Sequence, residues 1–376
     1  MSNQLDFFDM LGKDYENFKL QESNDWRWSL KDGYPTHTNG LKVFSCFACG
    51  GGSTMGYKLA GFDVLGCNEI DPEMNAIYVL NHHPKLNYLE DIRDFNKRDD
   101  LPSELFDLDI LDGSPPCSTF SMAGQREDAW GVEKVFREGQ KMQTLDDLSF
   151  IFIDTVKKLR PKVVVMENVE GLMKGNAWKY VQQIYTKFHE IGYKVKHWLL
   201  KGENMGIPQK RHRVFFIATR LDFDLNKIDM AFNYKPVTYG EIKEGKLKPL
   251  GKDTHFYYIA SQARDDEHDI AETRVRLGEK RSAFQTKYIR DDEVMPTQRS
   301  KPDIIDLKEM AYVSKETVRN SQTFPRDFDF SPNTYSNIGY ICGMSVPPIM
   351  MKRVATRLLE SGIFESEEKY GDKQNI

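Results

Sequence analysis

The sequence predicts an α/β protein: a doubly wound, mostly parallel sheet with a second, smaller domain. Three observations carry this. From about residue 41 to 220, short apolar runs alternate with segments of helical period, the pattern of a parallel sheet with helices on both faces. The first run empties into a glycine-rich turn, Ala48-Cys49-Gly50-Gly51-Gly52. Such a turn lets a ligand approach the backbone at the carboxyl end of a strand. After residue 220 the periodicity weakens and charged and turn residues take over.

The elements follow in order. Residues 1–39 are polar and aromatic by turns and read as an extension, partly helical at 5–20. LKVFSCF (41–47) is the first strand, and GYKLAG belongs to the helix after the glycine turn. FDVLGCNEID is the second strand, followed by a helix over 72–82. A short strand near 87–89 ends at EDI, and a fourth strand over 106–112 ends at a Gly-Ser-Pro-Pro turn. A helix over 144–160 leads to strand VVVMENV (163–169), then a helix over 176–191 and strands over 193–200 and 213–220. Residues 221–333 read as the smaller domain. VPPIMMKRVATRLLESG has proline at a helix start and glycine at its stop, and its apolar face is expected to pack back on the first domain.

Bulk properties exclude several classes. No run of 18 apolar residues is present, so no membrane span is expected. The acidic start lacks the charged and apolar regions of a secretory signal. Five cysteines in 376 residues make no disulfide framework, so a reducing cytoplasm is the expected setting. A net charge of −5 argues against a protein coated in positive charge, but nucleic-acid binding needs only a local basic face.

Four constellations carry chemistry. The glycine loop is followed by Glu69 at the end of the second strand and Asp91 at the end of the third. In such a sheet these carboxylates can accept from a ribose. The loop is not Gly-x-Gly-x-x-Gly, which disfavours a dinucleotide and leaves S-adenosylmethionine as the other common occupant; a plain glycine turn is the alternative. Cys117 stands after Pro115 and Pro116, whose fixed φ angles and missing N–H groups hold the next side chain still. A small buried apolar residue is the ordinary role of a free cysteine, but a strand's carboxyl end favours a nucleophile, whose reactive form is the thiolate. Glu167 ends an apolar strand, as an acid catalyst or a cation's partner. Arg211 and Arg213 alternate at the mouth of a strand and could hold a carboxylate, a phosphate or a base carbonyl; a solvated charge cluster is the alternative. Cys46 and Cys49 form one C-x-x-C without a second pair, so no metal is expected.

Together these motifs make a set. FACGGG (47–52), NEID (68–71), EDI (90–92), GSPPCSTFS (113–121), ENV (167–169), QKRHR (209–213), TFPRDF (323–328) and GMSVPP (343–348) occur in order across nearly the whole chain. The sequence resembles the cytosine-C5 DNA methyltransferases, which have a Rossmann-like catalytic domain. The resemblance implies methyl transfer from S-adenosylmethionine to C5 of a flipped-out cytosine in double-stranded DNA. Cys117 would add to C6, Glu167 would contact N3, Arg213 would bind O2 and Arg211 would support the site. Phe47 would stack near adenine, with the Gly50–Gly52 backbone at the methionine end. Glu69 would take the ribose and Ile70 the adenine face, with Asp91 and Ile92 at the adenine edge. Pro116, Leu148, Ser345 and Val346 would complete the pocket. Ser121 would touch the DNA backbone and 122–143 would be a mobile catalytic loop.

The resemblance also divides the chain into an extension (1–39), a catalytic and cofactor-binding domain (40–220), a target-recognition domain (221–333), a C-terminal segment and helix (334–362) and a polar tail (363–376). Arg274, Arg276, Lys280 and Arg281 are candidate DNA contacts within a basic stretch over 274–301, an ordinary charged surface being the alternative. A monomer is expected, cytoplasmic and of bacterial or phage type, with a cognate restriction endonuclease as a possible companion. Three departures stand out: Met344 replaces the asparagine of Gly-Asn-Ser-Val, Cys49 replaces a common glycine, and VSKETVRNSQ lacks the usual Arg-Glu pair. The competing readings are a transfer-RNA cytosine methyltransferase, a catalytically dead DNA-binding regulator, and a nicotinamide oxidoreductase. Labelled RNA against labelled DNA separates the first from the lead. The intact Pro-Pro-Cys and Glu-Asn-Val oppose the second, and the loop spacing opposes the third.

Overall fold

Seven strands form the central sheet: β1 (Lys42–Cys46), β2 (Asp63–Glu69), β3 (Leu86–Leu89), β4 (Ile110–Gly113), β5 (Val163–Val169), β6 (Lys194–Lys201) and β7 (His212–Thr219). The computed structural model describes residues 20–116, 147–174, 177–301 and 303–367. Cys117, Ser121, the segment 122–143 and residues 5–19 of the expected N-terminal helix lie outside them. The strand order is β3-β2-β1-β4-β5-β7-β6. β1 to β5 are parallel, and β7 runs antiparallel to both neighbours.

β5 shows why the sheet is covered twice. Its run Val163-Val164-Val165-Met166 is fully buried, and successive side chains point to opposite faces. Val164 and Met166 meet helices α4 (Leu148–Leu159) and α5 (Trp178–Glu190), through Phe152, Val156, Val181, Ile184 and Phe188. Val163 and Val165 meet the other face, where α1 (Gly52–Leu59) and α11 (Pro348–Glu360) lie, through Tyr57, Met350, Met351 and Val354. A Cβ on Gly56 would fall 2.4 Å from Met351 Cβ, so glycine there permits the close α1–α11 approach. The C-terminal helix therefore packs back on the sheet as expected. It starts with Pro348 and stops before Gly362, which has φ 73°.

The fourth strand is shorter than expected. Residues 103–106 form a 3-10 turn and the strand begins at Ile110. Leu105 and Leu108 are buried while Phe106 is exposed, a spacing that a turn satisfies and strand alternation does not.

The smaller sheet consists of β8 (Lys248–Pro249), β9 (Lys287–Ile289), β10 (Ile304–Asp306) and β11 (Ala311–Tyr312), in the order β9-β10-β11-β8. The same stretch of chain carries helices α6 (Tyr239–Ile242), α7 (His255–Ser261) and α8 (Ile270–Arg276), and the core of the small sheet holds Leu250, Ile259, Ile270, Tyr288 and Ile305. Residues 221–230 pack instead on the central sheet, through Leu221, Phe223, Leu225, Ile228 and Met230. Part of the N-terminal segment is integrated as well: Trp26 and Trp28 pack near Phe324 and Phe328, and Trp28 Nε1 donates to the Thr323 carbonyl at 2.8 Å. Ile363 is fully buried and Phe364 packs edge-on against Phe62, so packing continues past the last helix.

Candidate active site

Strand direction collects the functional residues. In an open α/β sheet, ligands bind beyond the carboxyl ends of the strands. β1, β2, β3, β4 and β5 deliver Phe47, Glu69, Asp91, Pro116 and Glu167 to that edge. Because β7 is reversed, it is the amino end of this strand that arrives there, carrying Arg211 and Arg213. A cavity of about 300 Å³ opens at this edge. It is lined by Phe47, Glu69, Ile70, Asp91, Ile92, Pro116, Leu148, Glu167, Arg211 and Arg213. Cys49, Asn68, Met74, Pro115, Asn168 and Met344 are also in its wall.

The cavity has an acidic, partly apolar half and a basic half. In the first, the Glu69 carboxylate accepts from the amides of Cys49 (2.7 Å), Ile70 (2.9 Å) and Asp71 (2.9 Å). It ties the glycine loop to the start of α2 (Pro72–His82), and burial raises its pKa. Asp91 caps the short helix α3 (Ile92–Phe95) through the Arg93 amide at 2.8 Å, and the Arg93 side chain bridges Asp91 and Asp147. Phe47, Ile70, Ile92 and Leu148 supply flat and branched apolar walls.

The glycine loop is held from behind by a residue the sequence did not single out. His82 is buried, and its Nε2 lies 3.1 Å from the Gly50 carbonyl. Burial pushes its pKa down to about 3, so the ring is neutral and Nε2–H donates. A Cβ on Gly51 would sit 2.1 Å from that nitrogen. Gly50 and Gly52 have a different reason to be glycine: their Cβ atoms would meet Ile341 Cγ2 at 2.6 Å and the Val346 carbonyl at 2.0 Å. Gly50, Gly52, Ser345 and Val346 thus form the layer behind the wall and do not line the cavity.

In the basic half, Arg213 Nε lies 2.8 Å from Glu167 Oε1, and Arg213 Nη1 donates to the His212 carbonyl at 2.7 Å. The sheet register places Arg213 opposite Val169, so Glu167, two residues earlier, is its diagonal neighbour on the same face. Arg211 is 2% exposed and donates to the carbonyls of Gln298, Gly343 and Ser345. Burial, and then repulsion from Arg213, lower its pKa well below the usual range. Asn168 Nδ2 donates to the Pro115 carbonyl at 3.4 Å, a tie to the Pro-Pro turn that the sequence did not disclose. His212 lies between Glu203 (2.8 Å) and Glu170 (3.3 Å), which raise its pKa.

The model of the C-5 cytosine-specific DNA methylases matches residues 41–360. The chain belongs to that family. Among curated relatives, it is 32% identical over 197 residues to the Type II methyltransferase M.NgoPII of Neisseria gonorrhoeae, covering 52% of this chain and 53% of the relative. It is 31% identical over 192 residues to M.FnuDI of Fusobacterium nucleatum, covering 51% of each. In these matches the chain spans about half the length of the relatives. With M.HindV of Haemophilus influenzae it is 26% identical over 333 residues, covering 87% of this chain and 98% of the relative. The fold matches an E. coli prophage structure described as a DNA modification methyltransferase, with TM-score 0.58, 20% identity and coverage of 85% and 99%. It also matches Dnmt2 of S. pombe, with TM-score 0.55, 15% identity and coverage of 87% and 99%.

Within the methylase family, this chain's departures have local solutions. Cys49 has φ 47°, a conformation glycine adopts freely, and the hydrogen bond that its backbone N–H donates to Glu69 helps hold it there. Met344 lines the cavity from α10 (Tyr335–Met344) and is 39% exposed. In place of the Arg-Glu pair, α9 (Lys315–Ser321) uses Thr317, donating to the Glu244 carbonyl, and Asn320, donating to the Ile242 carbonyl. In the smaller sheet region, Arg276 pairs with Glu267 at 2.6 Å and Arg274 with Glu279 at 3.8 Å, whereas Lys280 and Arg281 are exposed. Glu267 is held down at about 2, chiefly by Arg276.

Proposed function

We propose that this chain transfers a methyl group from S-adenosylmethionine to C5 of cytosine within a specific double-stranded DNA sequence, with Cys117 as nucleophile. One observation supports this most: a single cavity joins the Glu69–Asp91 half to the Glu167–Arg213 half, with Pro115 and Pro116 between them. The donor set suits the cofactor, since two carboxylates can accept from ribose hydroxyls and an adenine amino group, and the apolar walls suit the adenine faces. When bound, S-adenosylmethionine supplies an electrophilic methyl group.

The residues of the chain have these roles. The Cys117 thiolate bonds to C6, which turns C5 into a nucleophile. Attack must come perpendicular to the ring, so the base leaves the stack. Negative charge then develops on the pyrimidine, where Arg213 donates to O2 and Glu167, carrying a proton in this step, donates to N3. After methylation, loss of the C5 proton to a base and cleavage of the C6–S bond restore the aromatic ring and the Cys117 thiolate. The same reading makes the chain a monomer of a bacterial or phage cytoplasm with a cognate endonuclease as a possible companion; the names of the Type II relatives support the restriction-modification setting alone.

The test is incubation of the purified chain with labelled cofactor and either double-stranded DNA or transfer RNA, with bisulfite sequencing of a plasmid from an expressing host. Label in DNA and 5-methylcytosine at one sequence are expected. Label confined to RNA, or no label in either, rejects the proposal.

Two further outcomes are expected. Glu69→Gln, which keeps an acceptor for the loop amides, weakens cofactor affinity about tenfold in calorimetry. Glu69→Ala also orphans three amides and lowers unfolding free energy by about 2–4 kcal/mol. Equal cofactor affinity in wild type and Glu69→Gln would remove Glu69 from the binding site. In the smaller domain, Lys280→Ala and Arg281→Ala reduce DNA affinity and its salt dependence without changing the melting temperature. Arg276→Ala lowers the melting temperature, because it breaks the pair with Glu267. If Arg276→Ala alone altered DNA binding in an unchanged fold, the assignment would be reversed.

A further inference from the structure

Asp112 is a buried acid that the proposed chemistry does not use. It stands on β4 after the fully buried Ile110 and Leu111, at 2% exposure, in the middle of the central sheet. An apolar side chain would serve the strand there, and a buried carboxyl carries a desolvation cost. Its partners explain its placement. Oδ2 accepts from Ser45 Oγ at 2.9 Å and Oδ1 from Tyr57 Oη at 3.2 Å, with Ser53 adding a contact. Ser45 lies two residues before Phe47, and Tyr57 lies on the helix that follows the glycine loop. Asp112 itself lies three residues before Pro115. One carboxyl thus joins the ends of β1 and β4 to α1, beneath both halves of the cavity.

The titratable groups that face it are Cys46 from β1, Tyr57 from α1, Tyr78 from α2 and Glu167 from β5. None of these is a cation. Burial is the main cause that pushes the Asp112 pKa up to about 7, and the negative charge of Glu167 adds to it.

We propose that Asp112 is a positioning residue for methyl transfer: through its bonds to Ser45 and Tyr57 it holds the glycine-loop helix and the Pro-Pro turn in register, and its ionisation places an anion behind Glu167 that opposes the reaction. The inference rests on the function proposed above. Its physical basis is that cysteine addition builds negative charge on the pyrimidine, and a second buried anion behind the cavity disfavours that charge.

The sign of the linkage follows from the raised pKa. Asp112 ionises near its ordinary value in the unfolded chain but only near 7 in the folded one. Its favourable contribution is present at low pH and is lost as pH rises through about 7. Asparagine has no such loss. Cofactor-free melting of wild type and Asp112→Asn across pH 5 to 8 should therefore show a gap that widens in favour of the variant as pH rises. With DNA and cofactor, the wild-type kcat should fall above pH 7, and Asp112→Asn should lack that fall. Asp112→Ala should lose about ten- to a hundredfold in kcat, as expected of a misplaced reacting group, with the KM for DNA within about threefold of wild type. Tyr57→Phe, which removes one bond that favours the charged form and no carboxyl, should lower kcat and move the fall to higher pH, and covers the case in which Asp112→Ala does not fold. A wild type that methylates DNA, with Asp112→Asn following its melting and kcat profiles at every pH, overturns the inference. A wild type that does not methylate DNA rejects the proposed function instead, while the melting curves still decide whether Asp112 is neutral below pH 7.

Discussion

Cys117→Ser is expected to reduce methyl transfer by about four orders of magnitude or more, while folding and cofactor affinity survive. A serine hydroxyl is scarcely ionised at neutral pH, whereas a thiol has an appreciable thiolate fraction and higher intrinsic nucleophilicity. Oxygen is nearly isosteric with sulfur, so the loss would be chemical. The approach to Cys117 is built for precision: β4 pairs with β5 as far as Gly113 and Met166, and Asn168 holds the Pro115 carbonyl. A Cβ on Gly113 would fall 2.4 Å from the Phe152 ring, so the strand end is clamped by α4. Single-turnover assays with labelled cofactor measure the rate, and calorimetry with thermal melting checks the fold. A duplex carrying 5-fluorocytosine at the target should trap the wild type, but not the variant, as a denaturant-stable adduct, because fluorine cannot leave C5 as a proton does. Near-wild-type turnover by Cys117→Ser would exclude covalent catalysis by this residue.

How far the sequence disclosed this depends on which physical signal each residue leaves. Val163 to Val169 read as a buried strand because burial on both faces makes every position apolar until the functional edge. Direction left no such signal. Nothing in RVFFIATR says that β7 runs against its neighbours, yet that reversal is what brings Arg211 and Arg213 to the edge served by Glu69 and Glu167. The shared role of the two arginines also divides in three dimensions. Arg213 faces Glu167, while Arg211 binds three carbonyls drawn from residues 298, 343 and 345, contacts too distant in sequence for any local pattern to announce. The basic stretch over 274–301 shows the opposite limit. Charge is visible in a sequence but its partner is not, and Glu267 and Asp269 hold Arg276 and Lys287 within the smaller domain. The contacts of His82, Asn168 and Asp112 leave no sequence signal because each acts on backbone or on buried hydroxyls from another element. The only hint for Asp112 was an acid inside an apolar strand.

The Glu167–Arg213 pair should separate stability from chemistry. Both side chains are nearly buried, at 10% and 12% exposure, and they meet at 2.8 Å, so solvent screens them little. Arg213→Ala removes the cation and strands a carboxylate, and breaking a buried pair in this way costs about 3–5 kcal/mol. The same change removes the proposed donor to cytosine O2, and loss of one preorganised donor slows a reaction by about 10²- to 10³-fold. The single variant is therefore expected to melt well below wild type and to turn over poorly, and the two effects are confounded. Combining Arg213→Met with Glu167→Gln removes both charges while keeping much of the packed volume. That double variant should regain most of the lost stability, because neither partner is left charged and unpaired, yet it should remain as inactive as the single variant. Denaturant unfolding gives the stability and single-turnover methylation gives the rate. A double variant that recovers stability and activity together would show that the pair serves the fold alone, and the contacts to O2 and N3 would have to be sought on other residues of the cavity.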